Sequence, residues 1–139
     1  MRSIVLAMAL AAVGCNATLP TAVPIDVAAG QEFELAIGQS ARLTGPIATI
    51  AFVSVPEDAR CPSNALVLCV WAGNARVRLQ VVQSGRTDTL ELNTGIDPKE
   101  GSIGTLLVRL NALSPISVDG TPVPFARYRA SIIATGRAD

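Results

Sequence analysis

The stretch RVRLQVVQSGRTDTLEL, residues 76–92, alternates polar and apolar side chains, pauses at Ser84-Gly85-Arg86, and then alternates again. A period of two is what a strand with one buried face requires, and a short glycine-containing break between two such runs marks a hairpin. Val77, Leu79, Val81, Leu90 and Leu92 then share one face, and the segments on either side can be read against that reference.

Upstream, residues 47–55 are apolar on both faces and rich in β-branched side chains, as expected of a central strand that Pro56 would end. Earlier still, Phe33, Leu35 and Ile37 alternate with Glu32, Glu34 and Ala36; Gly38 breaks the run and residues 40–43 resume it. Downstream, Leu106, Val108 and Leu110 are in phase within 105–113, and Tyr128, Ala130, Ile132 and Ala134 form one face of a last strand over 127–135. No window beyond the first fifteen residues repeats at helical spacing. About seven short strands punctuated by Gly and Pro predict an all-β domain over 31–139, an antiparallel β-sandwich of immunoglobulin-like shape. A small barrel is the alternative; the sandwich fits better because 47–55 reads as buried on both sides.

The chain opens with MRSIVLAMALAAVGC, one positive charge at Arg2 followed by an apolar run about half as long as the roughly 20 residues that cross a bilayer. Such a segment reads as an export signal. Its end, Ala12-Val13-Gly14-Cys15, resembles the bacterial lipoprotein signal, in which a small-residue box precedes a cysteine that is acylated and becomes the first mature residue. Leucine is usual where Ala12 stands, and an ordinary secretory signal cleaved near Ala17 is the alternative. On the lipoprotein reading Cys15 carries lipid. Asn16, in place of an aspartate, implies sorting to the outer membrane, facing the periplasm. Residues 16–30, rich in Ala, Thr and Pro, read as a flexible tether.

Eleven basic and eleven acidic residues balance in the full chain, and removing the signal with Arg2 leaves it one positive charge short. Nothing in that distribution suits nucleic acid, which needs clustered positive charge. About 120 residues follow Cys15, enough for one domain with a real core.

There are three cysteines and no histidine. With Cys15 on lipid, Cys61 and Cys69 form an even pair in an oxidising compartment, where a disulfide is expected. A reactive thiol would want a histidine base or a helix N-terminus, and a zinc site would want four ligands. Pro62, Ser63 and Asn64 would turn the chain inside the bridge, Leu66, Val67 and Leu68 would carry it back, and Trp71 would cover the staple.

A wider pattern now emerges: Phe33-x-Leu35-x-x-Gly38-x-Ser40-Ala41, then Phe52-x-x-Val55-x-x-Asp58-x-Arg60-Cys61-Pro62, then Cys69-x-Trp71-Ala72-Gly73-Asn74-Ala75. It resembles a family of small uncharacterised bacterial lipoproteins and secreted proteins with a D-x-R-C-P and C-x-W-A-G-N-A core, over roughly residues 31–135. Ala59 stands where that pattern has serine, which argues against a role for a hydroxyl there. The resemblance implies a β-rich domain and carries no assigned activity.

Asp58 and Arg60 read as an ion pair across the turn; the alternative is that they contact a ligand. Glu57 and Asp58 could instead hold a hard cation, but without the spacing of a calcium loop. Arg76, Arg78, Arg127 and Arg129 would form a basic patch only if their strands were neighbours; cross-strand pairs on a solvated face are the ordinary outcome. A serine triad needs histidine, the single lysine, Lys99, lies in a turn-like loop, and the few aromatic residues offer little surface for a sugar. The expectation is a non-enzymatic envelope lipoprotein, without cofactor or metal, that meets the membrane through its lipid and binds an envelope protein or glycan. The candidate binding loop is Asp58, Arg60, Leu66, Val67, Leu68 and Trp71. A protease inhibitor presenting the 61–69 loop is the alternative, since a stapled loop is preorganised for a cleft.

Overall fold

A computed structural model describes residues 23–64 and 68–137. The signal, Cys15 and residues 16–22 of the tether lie outside the described residues, as do Leu66 and Val67. Among the described residues there are nine strands and no α-helix. One sheet holds β1 (Ile25–Val27), β3 (Ser40–Thr44), β4 (Ile47–Asp58), β5 (Ala75–Gln83) and β6 (Arg86–Asn93), in the order β1-β3-β4-β5-β6. The other holds β2 (Glu32–Ala36), β7 (Glu100–Ile103), β8 (Leu106–Ser114) and β9 (Arg129–Gly136), in the order β2-β9-β8-β7. The fold is the expected β-sandwich with two more strands than expected. Every pairing is antiparallel except that of β1 with β3, which is parallel.

The hairpin that anchored the sequence reading is β5–β6, with Val77 opposite Leu92 and Leu79 opposite Leu90. Val77, Leu79, Val81 and Leu92 are buried, while Leu90 is half-buried against β7. Ser84 and Gly85 both have positive φ, as a two-residue turn matched to strand twist requires. The inner faces of β2, β3, β8 and β9 complete one core, including Phe33, Leu35, Leu43, Leu106, Val108, Ile132 and Tyr128.

Three expectations are corrected. First, β4 is central in its sheet but buried on one face only: Ala48, Ile50, Phe52 and Val55 point inward while Ile47 and Val53 are exposed. Second, Pro56 does not end the strand. Register shifts between Phe52 and Ser54 and between Ser54 and Glu57 leave Val55 and Pro56 outside the ladder. A bulge is where a proline's missing N–H costs nothing, and it also puts Phe52 and Val55, three apart, on the same side. Third, the segment read as tether contributes β1, held along β3 from Ile25 to Val27, so the domain begins before residue 31. The remaining unforeseen strand, β7, is short and pairs with β8 from Glu100 to Ile103.

Strand directions sort the connections between the two ends of the sandwich. The turns at 44–47, 83–86 and 103–106 and the end of β9 lie at one end. The other end carries the start of β1, the turn after β2, the long β4–β5 connection, the loop before β7 and the β8–β9 connection, which includes a 3-10 turn at Phe125–Arg127.

Candidate functional site

The β4–β5 connection is the longest link in the domain, and its base is a continuation of the ladder. Beyond the Asp58–Ala75 pair, Ala59 N donates to Asn74 O at 2.8 Å and Cys61 N donates to Ala72 O at 2.8 Å. Cys61 and Cys69 are joined by a disulfide, their Cα atoms 6.0 Å apart. The result is a two-stranded arm that continues the β4–β5 ladder and is stapled between Cys61 and Cys69. Ser63 N donates to Ser117 O at 2.9 Å, tying the arm to the β8–β9 connection.

Asp58 and Arg60 come together as the pairing expectation required. Arg60 grips the carboxylate with two donors, Nε to Oδ1 at 2.8 Å and Nη2 to Oδ2 at 2.7 Å. Its remaining donors reach Leu113 O and, at 2.9 Å, Pro115 O at the end of β8. Tyr128, just before β9, donates its hydroxyl hydrogen to Asp58 Oδ2 at 2.8 Å. The planar guanidinium fork suits this arrangement, since it can bind a carboxylate and two carbonyls at once. Only 8% of the Arg60 side chain and 16% of the Asp58 side chain are exposed. The two therefore join the sheets at the base of the arm and leave little side-chain surface for a partner.

The electrostatics follow from this geometry. Burial by itself pushes the Asp58 carboxyl up, but the hydrogen bonds from Arg60 and Tyr128 and the Arg60 charge more than offset it, leaving it below the ordinary carboxylate range. Tyr128 is pushed up to about 12, first by burial and then by the Asp58 carboxylate that accepts its proton.

A second polar cluster lies on the other side of the arm's base. Asn74 Nδ2 donates to Asn93 Oδ1 at 2.9 Å, Gly95 N donates to Asn74 Oδ1 at 2.8 Å, and both asparagines are buried. Here three backbone segments meet. A Cβ on Gly73, whose φ is +76°, would lie 2.1 Å from Ala59 O, and one on Gly95 would lie 2.2 Å from Gly73 O. The positive φ favours glycine here, and the close approach of backbone requires it.

Outward from this base the arm is apolar. Leu68 is 96% exposed, Val70 is fully exposed and Trp71 is 59% exposed. Trp71 therefore does not complete the core. Of the candidate contacts, Leu68 and Trp71 stand open to solvent, whereas Leu66 and Val67 lie outside the described residues.

The arginines do not make one patch. Arg76 and Arg78 belong to β5 in one sheet; Arg129 belongs to β9 in the other, and Arg127 to the 3-10 turn. Arg78 donates to Glu91 at 2.7 Å from its register partner across the hairpin, and Arg76 lies 3.7 Å from both Glu57 and Glu91. These are the cross-strand pairs of a solvated face, and the hydrogen bond from Arg78 leads the causes that hold Glu91 below the usual carboxylate range. Glu57 and Asp58 each face an arginine, and among the described residues no cluster of three or more acidic, cysteine or histidine side chains is placed to hold a metal ion. No described helix is long and apolar enough to cross a membrane.

What sequence reasoning missed are the partners far along the chain: Tyr128, the carbonyls of Leu113 and Pro115, and the Asn74–Asn93 pair. The one available signal was an arginine between a strand end and a disulfide, a position where a buried charge must find acceptors. No family model, curated protein or solved structure matches this chain.

Proposed function

We propose that the chain is a bacterial envelope lipoprotein, anchored through acylated Cys15, whose stapled β-domain binds another envelope component and performs no chemistry of its own. The observation that carries this reading is the arm. It is fixed at its base by two polar clusters and farther out by a disulfide, yet it presents Leu68, Val70 and Trp71 outward. A rigid element loses little entropy on binding, and clustered apolar side chains held in water mark a surface that meets something. The Cys61–Cys69 bond supports export to an oxidising compartment and leaves Cys15 as the unpaired cysteine, free for lipid. Outer-membrane placement facing the periplasm fits Asn16 at the position after the lipid.

The test is cell fractionation of wild type beside Cys15→Ser. Wild type is expected in the membrane fraction and the variant in the soluble periplasmic fraction; identical partitioning of the two refutes the anchor.

A further inference from the structure

The end of the sandwich that bears the arm gathers most of the exposed large apolar side chains among the described residues. Leu68, Val70 and Trp71 stand on the arm; Ile116, Val118 and Phe125 stand beside it on the β8–β9 connection. Ile96, in the loop before β7, belongs to the same end, and only Ile47, Val53 and Val82 lie elsewhere apart from Val23. Val23 itself leads into β1, and its position points to the occupant of this surface.

Strand β1 runs parallel to β3 and hence opposite to β4, with Ile25 opposite Ala41 and Ala41 opposite Ile50. The chain before Ile25 therefore leaves the sheet toward the end from which the arm projects. The short β1 pairing also removes residues 25–30 from the free tether. Fully extended, the chain from Cys15 to Ile25 spans at most about 35 Å. From the level of Ile50 to Cys61 along β4 and the arm is likewise at most about 35 Å at the rise of a strand. A lipid on Cys15 thus cannot lie much beyond the arm's tip.

We infer that the arm end is the membrane-facing end of the domain, and that Leu68, Val70 and Trp71, with Ile116, Val118 and Phe125 beside them, rest in the interfacial layer of the bilayer that holds the lipid on Cys15. The inference rests on the lipoprotein reading. Its chemistry is that of an interfacial anchor: tryptophan is favoured where one side of its ring meets acyl chains and the other meets headgroups, and short aliphatic side chains around it add buried area. The exposed charges at this end are mixed, Lys99 and Arg127 with Asp97 and Asp119, so the contact is apolar in origin and needs no anionic lipid. The acyl chains and the arm then act together, the tether being short enough to keep the arm at high local concentration over the surface.

Trp71 is the only tryptophan in the chain, so its fluorescence reports on the arm alone. The lipidated protein, purified from membranes, is reconstituted into vesicles of phosphatidylethanolamine and phosphatidylglycerol, with the Cys15→Ser chain in buffer as the solvent-exposed reference. Emission shifted to the blue, quenching by a lipid spin-labelled near the headgroup, and several-fold protection from acrylamide are the expected results. Leu68→Ser with Val70→Ser, which keeps Trp71 and changes only side chains already in water, is expected to restore acrylamide access while the protein stays anchored. If the vesicle-bound protein keeps Trp71 as open to acrylamide as the reference, the inference is overturned and the anchor stands. If Trp71 is shielded in native membranes but not in pure lipid vesicles, the occupant is a protein and the inference is again overturned. If Cys15→Ser fractionates like wild type, the anchor falls and takes the inference with it.

Discussion

The two ends of the sandwich solve the same problem in different ways. At the far end, strands are joined by tight turns such as Ser84-Gly85, where positive φ is needed and the space around the glycine is open. At the arm end, the short turn after β2 apart, the connections are long, and they are held by polar side chains: Arg60 bridging Asp58 to the carbonyls of Leu113 and Pro115, Tyr128 closing on Asp58, and Asn74 on Asn93. A short turn is specified by backbone conformation alone, whereas a long projecting arm needs fixed partners from several strands. Because polar side chains do the holding, the apolar side chains of the arm are free to face outward, which is the condition for binding through them.

Glycine gives the sharpest test of that contrast. Gly73 and Gly85 have nearly the same φ, +76° and +74°, but a Cβ on Gly73 meets Ala59 O at 2.1 Å while one on Gly85 meets nothing within 4 Å. Gly85→Ala is expected to cost about 1 kcal/mol, the penalty of the left-handed region. Gly73→Ala adds a backbone collision that cannot be relieved by a rotamer change, and a loss above about 4 kcal/mol is expected. Denaturant midpoints of the two variants check this; equal losses would mean that the arm's base is loose.

Arginine supplies the next comparison. Arg60→Ala leaves Asp58 buried beside Tyr128 without its cation and strands two carbonyl acceptors, so a loss of about 3 kcal/mol is expected, toward the low end for a broken buried pair. Arg78→Ala removes an equally short bond to Glu91 on the solvated face, where little or no loss is expected. Chemical denaturation of both, at low and high salt, separates them, since only the exposed pair is screened.

Much of this contrast could not be read from the sequence. Period-two alternation located seven of the nine strands, because a half-buried strand writes its pattern locally. The two it missed, β1 and β7, are three and four residues long and show too little alternation to be distinguished from a loop. The double-sided apolar run in β4 misled for a related reason: Ile47 and Val53 are apolar yet exposed, and a bulge shifts the phase between Phe52 and Val55. At the site, the Asp58–Arg60 pairing was legible because the residues are two apart. Their burial was not, since it depends on Tyr128, seventy residues away. The Cys61–Cys69 bond was legible from the cysteine count and the absence of histidine.

The staple itself is expected to contribute less than Arg60. Closing a loop of this length restricts the unfolded chain by about 2.5 kcal/mol on the chain-entropy model. Cys61→Ala with Cys69→Ala should lose about that much by chemical denaturation. The wild-type mass after alkylation should show two blocked thiols only when reductant is added first. Two free thiols in protein taken from the periplasm would remove the staple from the account of the arm.

A smaller expected effect than that of the staple isolates one link between the arm and the second sheet. Tyr128→Phe keeps the ring in the core and deletes only the bond to Asp58, so about 1.5 kcal/mol is expected, the scale of a hydrogen bond to a charged group. Its signature is the pH dependence. The Tyr128 hydroxyl titrates at about 12 in the folded chain against 10.0 unfolded. With its folded pKa raised, the unfolded chain gives up the proton first, so the stabilisation is full below pH 10 and declines as pH rises through 12. Asp58 has the opposite sign: its folded pKa is lowered, so its contribution is present above its unfolded value of 3.8 and is lost as pH falls through the folded one. Stability followed by denaturation across alkaline pH should therefore fall for wild type beyond pH 10, and the part of that fall due to Tyr128 should vanish in Tyr128→Phe. If wild type and variant decline in parallel there, the hydroxyl does not hold Asp58 in solution, and the arm's base is tied to the second sheet by Arg60 and not by Tyr128.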